Sequence, residues 1–203
     1  MIWAVILAAG ESTRMGEPKL LLPFRGWTII EDVVAAAVRS PVDRTLVVLG
    51  AHADRIERLL AAYPVERAFN PDYRSGMLSS IRCGVRRLPP DARAALVFLG
   101  DQPGLRGSTI SAVLNAYGST GKGIVLPARK GAGGHPILVD MKYREEIEGL
   151  DPAFGLKALL ALHPADVERI EVGEGGIPPD IDTPEEYLRA VSAASAPEKK
   201  SIK

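Results

Sequence analysis

Residues 2–19 read Ile2-Trp3-Ala4-Val5-Ile6-Leu7-Ala8-Ala9-Gly10-Glu11-Ser12-Thr13-Arg14-Met15-Gly16-Glu17-Pro18-Lys19. An unbroken apolar run gives way here to a turn of small residues, and this change decides the fold. The run is far too short to span a bilayer and has no basic flank before it. It reads as a strand buried on both faces, the kind found in parallel sheets. Similar runs follow at residues 45–49, 94–99, 124–126 and 137–139. Residues 167–172 alternate imperfectly instead, as an edge strand with one wet face does.

Helical signals separate these runs. Thr28 with Glu31 forms a capping-box pattern ahead of the apolar stretch 33–38. Met77, Ile81, Val85 and Leu88 line one helical face, with Met77 expected in the core and Ser75 as the cap. Ile110, Val113 and Leu114 mark a further helix. Thr183, Pro184 and Glu186 give a cap, a first-turn proline and the returning acid of a second box. Strands alternating with helices predict an α/β fold of Rossmann-like type, a mostly parallel twisted sheet with helices on both faces. No linker divides the chain. Residues 1–195 form the expected domain, and 196–203 (APEKKSIK) a frayed tail.

Composition narrows the function. The 203 residues carry 25 Lys plus Arg against 25 Asp plus Glu, a formal net charge of zero. A dedicated nucleic-acid binder shows a basic excess, so that class is disfavoured. The single cysteine, Cys83, excludes an internal disulfide and a cysteine-based zinc cage and favours a cytoplasmic home. No targeting or membrane segment is read.

Ligands of open α/β sheets sit at the carboxyl ends of the strands. After the first strand, small residues let backbone amides approach an anion, and Arg14 and Lys19 bring two positive charges into the same loop. By themselves these residues fit a solvated glycine turn equally well. The loop is not a Walker motif, because Gly16 is followed by Glu17. Asp101, in Leu99-Gly100-Asp101-Gln102-Pro103, ends another buried run, where it can reach a ligand at the sheet edge, although an isolated Gly-Asp more commonly caps a turn. Asp180 and Asp182 precede a helix, where Asp182 also suits the helix dipole. His135 follows two glycines in a glycine-rich stretch, 128–135, that reads as an irregular rim of the site. Arg82 and Arg86 lie one turn apart and read as solvated.

The string Leu7-Ala8-Ala9-Gly10-x-x-x-Arg14-Met15-Gly16-x-x-Lys19 resembles the signature of the molybdenum-cofactor nucleotidyltransferases, the molybdopterin cytidylyl- and guanylyltransferases. The likeness extends over roughly residues 3 to 190. It implies a nucleotide-diphospho-sugar transferase fold in which Leu7, Ala8, Ala9 and Gly10 line a nucleotide and Arg14 and Lys19 act catalytically on its phosphates. It further implies Mg2+ on Asp101 and Asp182, with Asn70, Gly76 and Ser80 as base and ribose contacts. His135 and Lys157 would bind the acceptor. Ala8-Ala9-Gly10 is similar to the cytidylyl type, since guanylyl members carry Ala-Gly-Gly there, so CTP is favoured over GTP and molybdopterin is the implied acceptor. One departure concerns the acceptor side: where the family has Gly-Asp-x-Gly followed by Arg, residues 150–157 keep only Gly155 and a basic Lys157.

The expectation is therefore a Mg2+-dependent nucleotidyltransferase that moves CMP onto a phosphorylated acceptor and releases pyrophosphate. A molybdoenzyme or chaperone would receive the product. Two rivals stand beside it: a cytidylyltransferase for a small sugar or polyol phosphate, and a non-catalytic nucleotide-binding regulator.

Overall fold

A computed structural model describes residues 1–195, and the expected tail at 196–203 lies outside them. Among the described residues there are ten strands and seven α-helices. The strands are β1 (Ile2–Ala8), β2 (Pro23–Phe24), β3 (Trp27–Thr28), β4 (Arg44–Leu49), β5 (Glu66–Phe69), β6 (Ala94–Leu99), β7 (Ile124–Arg129), β8 (Ala132–Gly133), β9 (Ile137–Asp140) and β10 (Val167–Glu171). The helices are α1 (Ile29–Val38), α2 (Ala53–Leu59), α3 (Met77–Arg87), α4 (Gly107–Thr120), α5 (Arg144–Gly149), α6 (Leu156–Leu162) and α7 (Pro184–Ser195). Among the described residues no helix is long and apolar enough to cross a membrane.

The main sheet runs β10-β7-β9-β6-β1-β4-β5, with β8 paired to β7, while β2 and β3 form a separate hairpin. Both faces of its central strands are buried, and the alternation of a strand sorts their side chains. Ala4, Ile6, Val47, Leu96 and Phe98 pack with Ile30 and Val33 of α1 and Ile110 and Val113 of α4. Trp3, Val5, Leu46, Val48 and Val97 face the other way, onto Leu78, Ile81 and Val85 of α3 and Leu159 of α6. This is why the sequence shows continuous apolar runs there. At the edge, β10 is only half buried, as its alternation predicts.

Both capping boxes form. Thr28 Oγ1 accepts from the Glu31 amide while Glu31 reaches back to the Thr28 amide at 2.8 Å. Glu186 accepts from the Thr183 amide at 2.9 Å, and Thr183 Oγ1 accepts from the Glu186 amide.

Several expectations need correction. β9 is antiparallel to both β6 and β7, whereas the other main strands of the sheet, apart from the short β8, run parallel. Its entry therefore lies at the same sheet edge as the exits of β6 and β7. Residues 128–135 are not irregular: β7 and β8 make a tight hairpin whose turn, Lys130-Gly131, has both φ angles positive. Gly76, not Ser75, caps α3, and no side chain satisfies that helix's first amides. Met77 is exposed rather than core. Arg82 is not solvated, since it donates to the carbonyls of Ile147 and Leu150 at 3.2 and 2.6 Å and so ties α3 to the segment before α6.

Candidate active site

The three strands at the centre of the sheet, β1, β4 and β6, each run into glycine within two residues of their ends, at Gly10, Gly50 and Gly100. A Cβ on Gly100 would stand 2.7 Å from the Leu7 carbonyl, and one on Gly50 would stand 2.7 Å from Ala9 Cβ, Ala9 O and Tyr73 Cβ. The neighbouring strand exits thus press directly on the exit of β1. The Ala51 amide donates to Ala9 O at 3.0 Å and the Gly100 amide to Leu7 O at 3.0 Å. Gly10 differs: no protein atom lies within 4 Å of where its Cβ would be. Its missing side chain opens space towards the site, not towards the core.

From Gly10 the chain loops out. Two single 3₁₀ turns, Thr13–Met15 and Lys19–Leu21, present Arg14 and Lys19. The Lys19 amide donates to Ser12 Oγ at 3.1 Å, which folds the loop back on itself. Lys19 Nζ then lies 2.6 Å from Asp101 Oδ2 and 2.8 Å from Asp182 Oδ1. Arg14 completes the cluster on the outer oxygen of Asp182, at 2.8 Å. Four residues singled out in the sequence are therefore joined in one network of two cations and two anions.

Asp182 is held there by the segment before α7. The Ile181 amide donates to the Asp101 carbonyl at 3.1 Å, and Gln102 Nε2 donates to Asp180 Oδ1 at 2.7 Å. The helix amides are capped by Glu186 and Thr183, so the Asp182 carboxylate is free for the cations and does not serve as a cap. Gln102, buried beside Asp101, has no signal in the sequence beyond its place in Leu99-Gly100-Asp101-Gln102-Pro103.

The electrostatics follow from depth. Burial alone would lower the Lys19 ammonium, but the charge of Asp101 and its hydrogen bonds to both carboxylates hold it above its ordinary value. Burial raises Asp101, against the pull of Lys19. Asp182 is also opposed by burial, yet Lys19 and Arg14 together keep it below the usual carboxylate range.

A cavity of about 930 Å³ opens beside the cluster. His135 and Lys157 both line it, with Gln102, Asp180 and Arg169, and Met77 and Phe154 supply apolar wall. Burial lowers His135 to about 4, and Lys157 adds to the effect while Asp101 opposes it, so the imidazole is neutral at physiological pH. Asn70 and Ser80 are bonded to each other. Asn70 Nδ2 donates to Ser79 Oγ and Ser80 Oγ at 2.9 and 3.0 Å, and its Oδ1 accepts from the Asp72 amide at 3.0 Å. These bonds fasten the end of β5 to the start of α3. Gly76 makes the turn between them at φ +95°.

Among the described residues no group of three or more His, Cys, Asp or Glu could hold a metal ion. Asp101 and Asp182 do converge on one cation position, marked by the Lys19 ammonium. Two carboxylates completed by phosphate oxygens are the donor set that magnesium takes, so these residues fit a metal that arrives with a nucleotide.

Residues 4–168 match the MobA-like NTP transferase domain. The chain belongs to this family. It is 31% identical over 205 residues to nicotine blue oxidoreductase of Paenarthrobacter nicotinovorans, covering 93% of this chain and 95% of that protein. It is 30% identical over 189 residues to molybdenum cofactor cytidylyltransferase of Escherichia coli (strain K12), covering 92% and 93%. The crystal structure of Rv0371c from Mycobacterium tuberculosis in complex with manganese superposes with a TM-score of 0.78 at 26% identity, covering 95% of this chain and 98% of that one. The fold is a single α/β domain of the nucleotide-diphospho-sugar transferase type. The family resemblance read from residues 7–19 thus holds, and the protein is a nucleotidyltransferase.

Proposed function

We propose that this nucleotidyltransferase moves CMP from CTP to the terminal phosphate of a phosphorylated acceptor, molybdopterin, in the cytoplasm, and releases pyrophosphate. The observation that carries this reading is the cluster of Lys19, Arg14, Asp101 and Asp182 at the carboxyl edge of the sheet. Two cations are set for phosphate and two carboxylates for a divalent ion, beside a cavity with room for a second substrate. Identity does not choose between the relatives, since the oxidoreductase and the cytidylyltransferase stand at 31% and 30%. The chemistry of the cluster favours phosphate.

A phosphate nucleophile is already ionised at neutral pH, so no general base is needed. The chain's task is to position two anions against each other and neutralise their charge. Arg14 and Lys19 hold the triphosphate and the departing pyrophosphate. Lys157 and the neutral His135 meet the acceptor phosphate from the cavity side. Asp101 and Asp182 would hold Mg2+ or Mn2+, which when bound would supply charge neutralisation for the phosphates. Ala8, Ala9 and Gly10 leave the backbone open to the nucleotide, and Leu7 supports them from below. Gly76 offers a side-chain-free approach at the start of α3, whereas Asn70 and Ser80 act by fixing that start in place. CTP is favoured over GTP on the Ala-Ala-Gly of the first loop, and the product passes to a molybdoenzyme or its chaperone.

The test is a pyrophosphate-release screen of CTP, GTP, ATP and UTP with Mg2+, against molybdopterin and a panel of sugar and polyol phosphates. Release with CTP and molybdopterin alone supports the reading. Release with CTP and a polyol phosphate would move the acceptor to that class, and silence from every pair would overturn nucleotidyl transfer.

A further inference from the structure

We propose that Lys19 is the resident counter-ion of the metal position, and that a divalent cation enters only when nucleotide phosphates draw Lys19 away. The inference rests on the nucleotidyl-transfer reading and concerns the order in which that site fills. Lys19 Nζ stands between the two carboxylates at 2.6 and 2.8 Å, a cation already in place. Its side chain is only 11% exposed, so it does not sample solvent as a surface lysine does. Its main chain is pinned as well. The amide is bonded to Ser12 Oγ, the carbonyl accepts from the Leu22 amide at 3.1 Å, and Pro18 precedes it. The ammonium can leave the carboxylates only by swinging on its four-carbon stem.

Arg14 balances what Lys19 leaves over. It lies on the outer oxygen of Asp182 with 69% of its side chain exposed. The four charges sum to zero, and Asp180, whose charge also reaches Asp101, leaves a single negative charge over, so a divalent ion approaching alone gains little and must expel an ammonium to bind. A triphosphate changes both sides of that balance at once. It gives Lys19 and Arg14 a stronger anionic partner and, in the same movement, bares Asp101 and Asp182. Nucleotide and metal therefore bind with positive coupling, each raising the affinity for the other. The site rejects a lone metal ion that would otherwise occupy the carboxylates unproductively.

The test reads metal binding rather than turnover. Mn2+ binding to the protein without nucleotide is followed by the loss of free-ion signal in electron paramagnetic resonance. Wild type and Lys19→Arg, which keeps the cation, should bind Mn2+ weakly. Lys19→Met should bind it tighter by on the order of tenfold, because one opposing charge has been removed at contact distance. Adding Asp101→Asn to Lys19→Met should abolish the gain. Equal affinity in wild type and Lys19→Met, or a gain that survives Asp101→Asn, would overturn the proposal. A second measurement uses wild type and so does not depend on the folding of Lys19→Met. The Lys19 ammonium protons, shielded by two carboxylates, should give a nuclear magnetic resonance signal that persists in millimolar Mg2+ and vanishes when CTP is added with it. Loss of that signal with Mg2+ alone would also overturn the proposal. Neither readout requires turnover, so a failed pyrophosphate screen and a failed counter-ion test remain separate results.

Discussion

Gly50 has no proposed ligand contact, yet replacing it with alanine should damage the proposed nucleotide site from behind. A methyl group at Gly50 would stand 2.7 Å from Ala9 Cβ, from the Ala9 carbonyl oxygen and from Tyr73 Cβ. None of these is the tip of a flexible side chain. Carbon atoms pack at about 3.5–4.0 Å, so the segment Ala9-Gly10 and the turn at Tyr73 must retreat by close to 1 Å. The same peptide is tied by the bond from the Ala51 amide to Ala9 O, which the retreat stretches beyond its 3.0 Å. Overpacking of this kind costs about 1–3 kcal/mol. For a chain of this length each kcal/mol lowers Tm by about 2–4 °C, so Gly50→Ala should unfold roughly 2–12 °C earlier. The effect on turnover should be larger, because a misplacement of about 1 Å costs on the order of 100-fold in rate. Circular dichroism melts and pyrophosphate release with CTP read the two effects. Gly10→Ala is the matched control: no protein atom lies within 4 Å of the new methyl, and the Gly10 backbone is not left-handed. That variant should melt with wild type and raise KM for CTP. Wild-type Tm and kcat/KM in Gly50→Ala would refute the claim that the exit of β4 shapes the cradle.

Other outcomes follow from the same structure. Lys19→Ala should lower kcat by about 100- to 1,000-fold, as loss of a charge-stabilising donor does, with an unchanged circular dichroism spectrum. Arg82→Ala should destabilise the chain by about 1–3 kcal/mol in urea, since it removes the bonds from α3 to the Ile147 and Leu150 carbonyls. His135 should titrate at about 4 by nuclear magnetic resonance rather than near the ordinary 6.5. The sign is fixed by burial: the folded chain binds fewer protons than the unfolded one between these values. The contribution of His135 is complete above 6.5 and lost as pH falls towards 4, and His135→Gln should flatten that part of the stability profile.

Local signals made much of the fold legible. The two capping boxes formed as their spacing predicts, because Thr28 with Glu31 and Thr183 with Glu186 need only three residues of separation. The buried runs declared the central strands, and the alternation at residues 167–172 declared an edge. Strand direction left no such mark. Ile137, Leu138 and Val139 are buried on both faces, and such a run reads the same in either direction. β5 escaped because Glu66-Arg67-Ala68-Phe69 is a short edge strand with two charges. Met77 kept the helical period of a core residue while facing the cavity, since periodicity identifies a face but not what lies opposite it. The partners of Arg14, Lys19, Asp101 and Asp182 were legible as a set of types. Their arrangement was not, because Lys19 meets Asp101 and Asp182 across 82 and 163 positions of sequence.

The reversal of β9 has a consequence for how this protein can change. A parallel strand would have received its entering loop at the far edge of the sheet, away from Asp101. Because β9 runs backwards, the excursion from β7 through β8 to His135 both leaves and returns at the rim of the cavity. That excursion is a detachable panel: it can be lengthened, shortened or exchanged without rerouting a single crossover. The cations and carboxylates proposed to meet the triphosphate and its metal come from other segments, after β1, after β6 and before α7. If the proposed roles hold, selection can recut the cavity wall around His135 while the cluster of Lys19, Arg14, Asp101 and Asp182 stays as it is, a division of labour built into the direction of one four-residue strand.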